Sequence, residues 1–467
     1  IMGTKYDLVV IGAGPGGYVS AAAAARKGMK TALIENRQLG GTCLNRGCIP
    51  TKTIMHSSEL YSSIAHCDEA GISCSELSFD MAKIQEHKSE VLETLRTGIA
   101  GMMKKNKVDV FQGTGTIMSS GTVSVSGADG DTALETNHIL IATGSKPMIP
   151  PIPGIDQSGV VSSDELLDSV EIPSSIVIIG GGVIGMEFAA VYNAFGAKVT
   201  VIEALDRLLG RLDKEFSQSL KLLAKKRGLE IHTSAMVKEI RKNPDGSLAC
   251  VFEEKEKLDE AQGDIVLVAA GRAAVTDGLF GPGIEIEMQK GRICIDENYM
   301  TSIPGIYAIG DVTGGIQLAH AASAAGLNAV CHMCGESVEK NMNVMPSCVY
   351  TDPEIASVGL NADDAKAEGY DTVTAKYPMS ANGKSVLSNQ ERGFIKIVAD
   401  AATGTVIGAQ MMCARATDMI AVFAEAVANK LTAEQMERVI YPHPTFSEGI
   451  GEAVDLLIEK LNKKKSK

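Results

Sequence analysis

The 467-residue sequence predicts an α/β protein with two Rossmann-like units, followed by a C-terminal α+β domain. Three observations predict it. Near the N-terminus an apolar strand pattern runs into a glycine-rich turn and an Ala-rich helix. The same arrangement returns 168 residues later, so Gly12, Gly17, Gly28 and Glu35 recur as Gly180, Gly185, Gly196 and Glu203. Beyond residue 343, strand patterns near 347–359 and 394–411 precede helical patterns near 416–428 and 432–438.

In the first unit a strand at 6–11 meets Gly12-Ala13-Gly14-Pro15-Gly16-Gly17, a helix at 18–27 and a strand at 31–34 that ends on Glu35. In the second a strand at 176–179 meets Gly180-Gly181-Gly182-Val183-Ile184-Gly185, a helix at 186–195 and a strand at 199–202 that ends on Glu203. Each acid stands 18 residues after the last glycine of its turn. A lone GxGxxG says little; placed after a strand, opening a helix and followed by an acid, it is a dinucleotide fingerprint. The first glycine permits the turn. The second, Gly14 or Gly182, lets the backbone approach a pyrophosphate. The third lets helix pack on strand, and the helix N-terminus offers N–H donors to the phosphates. The acid accepts from a ribose diol. The chain is therefore expected to bind two dinucleotides. Glu203 would repel the 2′-phosphate of NADP, which favours NAD, although Arg207 lies close by in sequence.

Hydrophobic residues make up 45% of the chain and charged residues 22%, an ordinary globular balance. The length suggests about three domains. A net charge of −13 argues against nucleic acid as the main partner, because duplex binding needs a basic surface. The one basic run, Lys463-Lys464-Lys465-Ser466-Lys467, reads as a solvated tail. No apolar run reaches the length of a membrane span. A strand pattern begins within five residues of the N-terminus, so no signal peptide is expected, and Ile1 ahead of Met2 reads as an added residue. Ten cysteines in a long chain of this kind fit reduced thiols in a cytoplasmic protein, so that any disulfide would be catalytic.

Cys43 and Cys48 stand five apart, between the first unit and the next helix. On a regular helix their Cα atoms would be about 8–9 Å apart. A disulfide usually needs less than about 7 Å. If the bond forms, the backbone must leave the helix between them, and Gly47 and Pro50 favour that. Spacing alone leaves two buried thiols as an alternative. Metal ligation would need further ligands, and none stand nearby in sequence. Cys331 and Cys334 share a CxxC spacing but read as core cysteines on a helix.

The string GGTCLNRGCIPTK at 40–52 resembles the redox motif of the class I pyridine nucleotide-disulfide oxidoreductases, and within them the dihydrolipoamide dehydrogenase branch. The resemblance runs from about residue 5 to 455 and includes ATGSKP at 142–147, YAIGD at 307–311, YTDPEIASVG at 350–359 and HPTFSE at 443–448. It implies FAD in the first fingerprint and NAD in the second. It implies an FAD-binding domain at 1–145 and 274–342, an NAD-binding domain at 146–273 and a dimerisation domain at 343–467.

By the same resemblance, Gly12, Gly14, Pro15, Gly17, Glu35, Gly41, Thr42, Lys52, Gly115, Thr143, Gly144, Asp311 and Ala319 are expected around FAD. Gly180, Gly182, Val183, Ile184, Gly185, Glu203, Val237 and Gly271 are expected around NAD. Val183 stands where glutathione reductases carry a gating Tyr. Lys52 is expected at the reactive edge of the flavin, paired with Glu187, whose apolar helix neighbours suggest burial. Cys43 would be the interchange thiol and Cys48 the flavin-side thiol. His443 and Glu448 would form a thiol acid–base pair acting on the partner subunit, with His443–Pro444 cis; on residues alone, that His reads as a surface residue. His320 reads as structural. Arg46, where a small aliphatic is common, either makes the thiols more acidic or reaches solvent, the latter being favoured. The Ala270-Gly271-Arg272 loop lacks the Pro-Asn the family often has.

The implied reaction is oxidation of protein-bound dihydrolipoamide with reduction of NAD, by a homodimer. The lipoyl carrier would be a separate acyltransferase or glycine-cleavage chain. A glutathione-type enzyme would prefer basic residues where Glu203 stands, and a mercury-type enzyme would want cysteines within 461–467. A flavin-binding scaffold without disulfide chemistry would not need Cys43, Cys48, His443 and Glu448 together.

Overall fold

A computed structural model describes residues 5–128, 130–338 and 340–466. Ile1, Met2 and Lys467 lie outside the described residues. Strand β1 (Lys5–Ile11) is flanked by β2 (Thr31–Glu35) and by Gly130–Ile141, all parallel. Asp109–Gln112 extends the sheet beyond β2, and the antiparallel strands Thr122–Gly127 and Thr114–Ser119 extend it on the other side. Ile306–Ala308 returns from far along the chain to pair in parallel with Gly130–Ile141. The apolar run of β1 is explained by this central place, since a parallel sheet is covered on both faces. Helix α1 (Pro15–Arg26) is Ala-rich because it packs closely on Ala319–Met333. A Cβ on Gly326 of that second helix would stand 2.0 Å from Ser20 Oγ, so small residues set the spacing.

The second unit is a five-stranded parallel sheet in the order Glu230–Thr233, Lys198–Glu203, Ser175–Ile179, Ile265–Val268, Val160–Ser162. An antiparallel ribbon of Ala235–Lys242, Leu248–Glu254 and Lys257–Gly263 shares its core. Both fingerprint helices start three residues earlier than expected, at Pro15 and Val183. The first turn of each is built from the fingerprint itself, and Pro15 fits there because its missing N–H would be unpaired anyway.

The C-terminal sheet is antiparallel, ordered Ser347–Val349, Ile355–Gly359, Val406–Met412, Phe394–Asp400, Thr372–Pro378. The last of these strands was not read from the sequence. Ala416–Ala428 and Glu448–Lys465 supply helices to this core. The second helix absorbs the basic run: residues 463–465 are its last turn, and Lys464 donates to Asp371. Lys463, Lys464 and Lys465 are exposed, in keeping with a solvated end, but they are helical. Cations there also complement the negative end of the helix dipole. Val349, Ile355, Phe394 and Met412 join a core that includes Val199, Val201 and Phe216 of the second unit, so the two share their apolar interior. Among the described residues, no helix is long and apolar enough to cross a membrane.

Candidate active site

The two acids that end their strands do the same local job. Glu35 accepts from the Ala13 N–H at 2.8 Å and from the Arg37 N–H at 2.8 Å. Glu203 accepts from the Gly181 N–H at 2.6 Å and from the Leu205 N–H at 2.7 Å. Each carboxylate thus braces its own glycine turn and keeps spare lone pairs for a ribose. The turns match in backbone as well: Gly12 and Gly180 have φ of +101° and +113°. A Cβ on Gly17 would lie 1.8 Å from the Gly12 carbonyl oxygen, and one on Gly185 would lie 2.0 Å from that of Gly180. The third glycine therefore clears the turn's own carbonyl, a closer demand than helix-on-strand packing. Neither Gly17 nor Gly185 borders the cavity described next.

One cavity of about 2160 Å³ runs past both fingerprints. It touches Gly12, Gly14, Pro15, Glu35, Gly41, Thr42, Gly115, Thr143, Gly144, Asp311 and Ala319 on one side. Gly180, Gly182, Val183, Ile184, Glu203, Val237 and Gly271 lie on the other. Gly14 and Gly182 begin their helices without a side-chain cap, which leaves N–H donors for phosphates. The space where a Cβ on Gly182 would stand is open. The residues present therefore fit two dinucleotides. Asp311 accepts from the Ser145 hydroxyl, which in turn accepts from Arg272 Nε at 2.7 Å. Arg272 also bonds the Ser145 carbonyl at 2.8 Å, and Arg272–Ala274 pairs with Ser145–Pro147. The 270–276 loop is thus a stapled crossover between the units.

Cys43 lies in helix α2 (Gly41–Arg46), and Cys48 opens helix α3 (Cys48–Ala65). Gly47, with φ −147° and ψ −111°, breaks the helix between them, as a disulfide at this spacing would need. A Cβ on Gly47 would come within 3.0 Å of the Thr42 carbonyl oxygen. Pro50, in contrast, sits in the first turn of α3 and causes no break, because an N–H is dispensable there. The cysteines are free thiols here and hydrogen-bond to each other. The Cys43 thiol donates, which pushes Cys43 up and brings Cys48 down to about 7. Burial opposes the Cys48 shift, while the Lys52 charge assists it. The start of α3 also favours negative charge. The Lys52 charge and the start of α3 thus both favour a thiolate at Cys48 when the pair is reduced.

Lys52, one turn on, binds Glu187 at 2.7 Å. Glu187 is 3% exposed and also accepts from the Tyr350 N–H at 3.1 Å. The Lys52 ammonium lies 4.6 Å from the Tyr350 ring centroid. Tyr350 went unremarked as a site residue in the sequence, where it only opened a motif. Arg46 does not simply reach solvent. It borders the cavity, is half-buried and faces Asp164 Oδ2 at 3.5 Å. His320 also borders the cavity and bonds the Pro346 carbonyl at 2.7 Å. Cys331 is buried on its helix, and Cys334 caps that helix.

His443 and Glu448 are together but apart from the thiols. His443 Nδ1 lies 2.8 Å from Glu448 Oε1, and Glu448 Oε2 accepts from the Thr445 N–H at 2.8 Å. These bonds hold the Glu448 carboxyl below its usual range, the backbone bond first. His443–Pro444 is cis, and so is Asp352–Pro353. The His443 side chain is 78% exposed and does not border the cavity of its own chain.

Comparison with known proteins agrees with this geometry. Residues 6–326 match the family described as pyridine nucleotide-disulphide oxidoreductase, and 345–454 match its dimerisation domain. A dihydrolipoyl dehydrogenase of Bacillus subtilis is 40% identical over 463 residues, covering 97% of this chain and 98% of that one. The dihydrolipoyl dehydrogenase of Geobacillus stearothermophilus is 37% identical over 454 residues, covering 97% and 96%. Among solved structures, LpdA from Mycobacterium tuberculosis superposes with a TM-score of 0.89 at 26% identity, covering 96% of this chain and 99% of that one. The HOCl-induced flavoprotein disulfide reductase RclA from Escherichia coli superposes with 0.86 at 28%, covering 97% and 100%. Two uncapped glycine turns, a polarised thiol pair and matches to both family models lead to one conclusion: this chain belongs to the pyridine nucleotide-disulphide oxidoreductases, enzymes that use FAD and NAD(H), and it carries their dimerisation domain.

Proposed function

We propose that the chain is a dihydrolipoyl dehydrogenase acting on lipoyl groups of a separate carrier protein in the cytoplasm. The observation that carries this reading is the Cys43–Cys48 pair, split by Gly47 and set beside Lys52 in a cavity bordered by both fingerprints. Full-length relatives named dihydrolipoyl dehydrogenase support the choice of substrate. The same reading divides the chain into an FAD-binding domain at 1–145 and 274–342, an NAD-binding domain at 146–273 and a dimerisation domain at 343–467. The return of Ile306–Ala308 to the first sheet supports the split domain.

The substrate dithiol enters reduced. His443 of the partner subunit, oriented by its own Glu448, takes a proton from one thiol, because only a thiolate attacks a disulfide. That thiolate attacks Cys43 of the oxidised pair and displaces Cys48 as a thiolate. The second substrate thiol then displaces Cys43 and gives up its proton to it, which leaves lipoamide, a Cys43 thiol, a Cys48 thiolate and the first proton on His443. Cys48 keeps the negative charge beside Lys52. FAD, when bound, supplies the two-electron relay from Cys48 to NAD.

Anaerobic titration of the holoenzyme with dihydrolipoamide tests this. A long-wavelength thiolate–flavin band should appear, and added NAD should be reduced. Cys48→Ser should lose lipoamide turnover yet still react with NADH; full lipoamide activity in that variant would overturn the assignment.

A further inference from the structure

The segment between the second acid and the following helix is tied at both ends. At its start it holds both polar groups of Gly181: Glu203 accepts from the Gly181 N–H at 2.6 Å, and the Leu209 N–H donates to the Gly181 carbonyl at 2.9 Å. Leu209 takes a left-handed φ of +50° to make that contact. Ser234 clips the segment just after Glu203, donating its N–H to the Leu205 carbonyl at 2.7 Å. Leu205, Gly210, Arg211 and Leu212 border the cavity. Arg207 folds back onto the Gly210 carbonyl at 3.1 Å and does not border it.

At its end the segment reaches Asp213, and the second tie belongs to another domain. Asp213 caps the helix Lys214–Lys226 with Oδ1, which accepts from the Glu215 N–H at 2.9 Å. Its Oδ2 lies 2.5 Å from Nζ of Lys396, and both side chains are 8% exposed. Lys396 sits in the strand Phe394–Asp400 of the dimerisation sheet. It also reaches Glu215 at 3.3 Å, which Lys376 of the adjacent strand meets at 3.2 Å. Phe216 stacks on Phe394 beside this set, with ring centroids 5.9 Å apart. A buried ion pair this enclosed holds position strongly, because losing one partner strands the other charge.

We propose that Lys396 and Asp213 are positioning residues for the pyridine nucleotide: the dimerisation domain sets the 203–213 segment, and through Gly181 it sets the second fingerprint. This rests on the reading that this fingerprint takes NAD. Neither residue touches the cavity, so the thiol chemistry should not depend on them.

The test uses FAD-loaded dimers carrying Lys396→Met or Asp213→Asn. Asn keeps the helix cap while removing the charge, so the second variant guards against a folding failure in the first. Direct NADH binding, followed by fluorescence, should weaken about tenfold in each, and the KM for NAD should rise alike. Flavin reduction by dihydrolipoamide should stay within about twofold of the unaltered enzyme. The double variant should be no worse than the singles, since both break one link. Lys396→Arg should restore most of the binding. Amide exchange at 204–212 should rise in the weakened variants. Unchanged NADH affinity, or equal loss in both half-reactions, would overturn the inference. Failure of dihydrolipoamide to reduce the flavin of the unaltered enzyme would instead sink the functional reading on which it rests.

Discussion

At the scale of single residues, the thiols are unequal because their neighbours differ. The Cys43 bond and the Lys52 charge lower Cys48, and Cys48 starts a helix; the Cys48 bond and burial raise Cys43 more than the Cys48 N–H and Lys52 lower it. The shift to about 7 lies below an ordinary thiol, so the Cys48 charge is present above that pH and lost as pH falls through it. Lys52→Met removes the cation and should move that midpoint upward by about one unit. The measurement is the thiolate–flavin absorbance of the two-electron-reduced enzyme against pH. An unmoved midpoint would mean that the Cys43 bond alone sets the shift. These two cysteines were legible in the sequence because the whole motif at 40–52 is local information, which their spacing alone was not enough to read. Arg46 was not, since a lone cation on a helix looks like a solvated one until Asp164 is placed beside it.

At the scale of elements, the glycine turns were legible as strand, turn, helix and acid, yet the part played by each acid was not. Backbone N–H groups do not show in a sequence, so the bracing of Ala13 by Glu35 and of Gly181 by Glu203 appears only in the fold. The helix starts were missed by three residues for a related reason: glycine has low helix propensity, but Gly16, Gly17 and Gly185 are helical here. Gly185→Ala forces a methyl against the Gly180 carbonyl. It should raise the KM for NAD by about tenfold or more, while flavin content and dithiol reduction stay near normal. Gly17→Ala should instead yield protein poor in FAD. Equal effects of both variants on flavin content would show that the two turns are not independent.

At the scale of the whole molecule, the His443–Glu448 pair does not border the cavity that holds the thiols of its own chain, and the chain carries a dimerisation domain. If each site is shared, Cys43→Ser and His443→Gln chains should complement. Random mixing gives half hybrid dimers with one intact site each, so about a quarter of the normal activity should return. No recovery after verified subunit exchange would place both groups in one chain. Contacts of this range were the least legible, because nothing periodic in a sequence says which distant segments meet. Tyr350, Asp213 and Lys396 all read as ordinary strand or loop residues until the sheets are packed. The Lys52, Glu187 and Tyr350 contact draws one side chain from each of the three regions of the chain. It therefore sets a rule for building hybrids: a nucleotide module grafted from a relative must arrive with a carboxylate matched to its host's lysine and tyrosine. A graft cut along domain borders alone will carry its cofactor specificity intact and still leave a charge stranded at the junction.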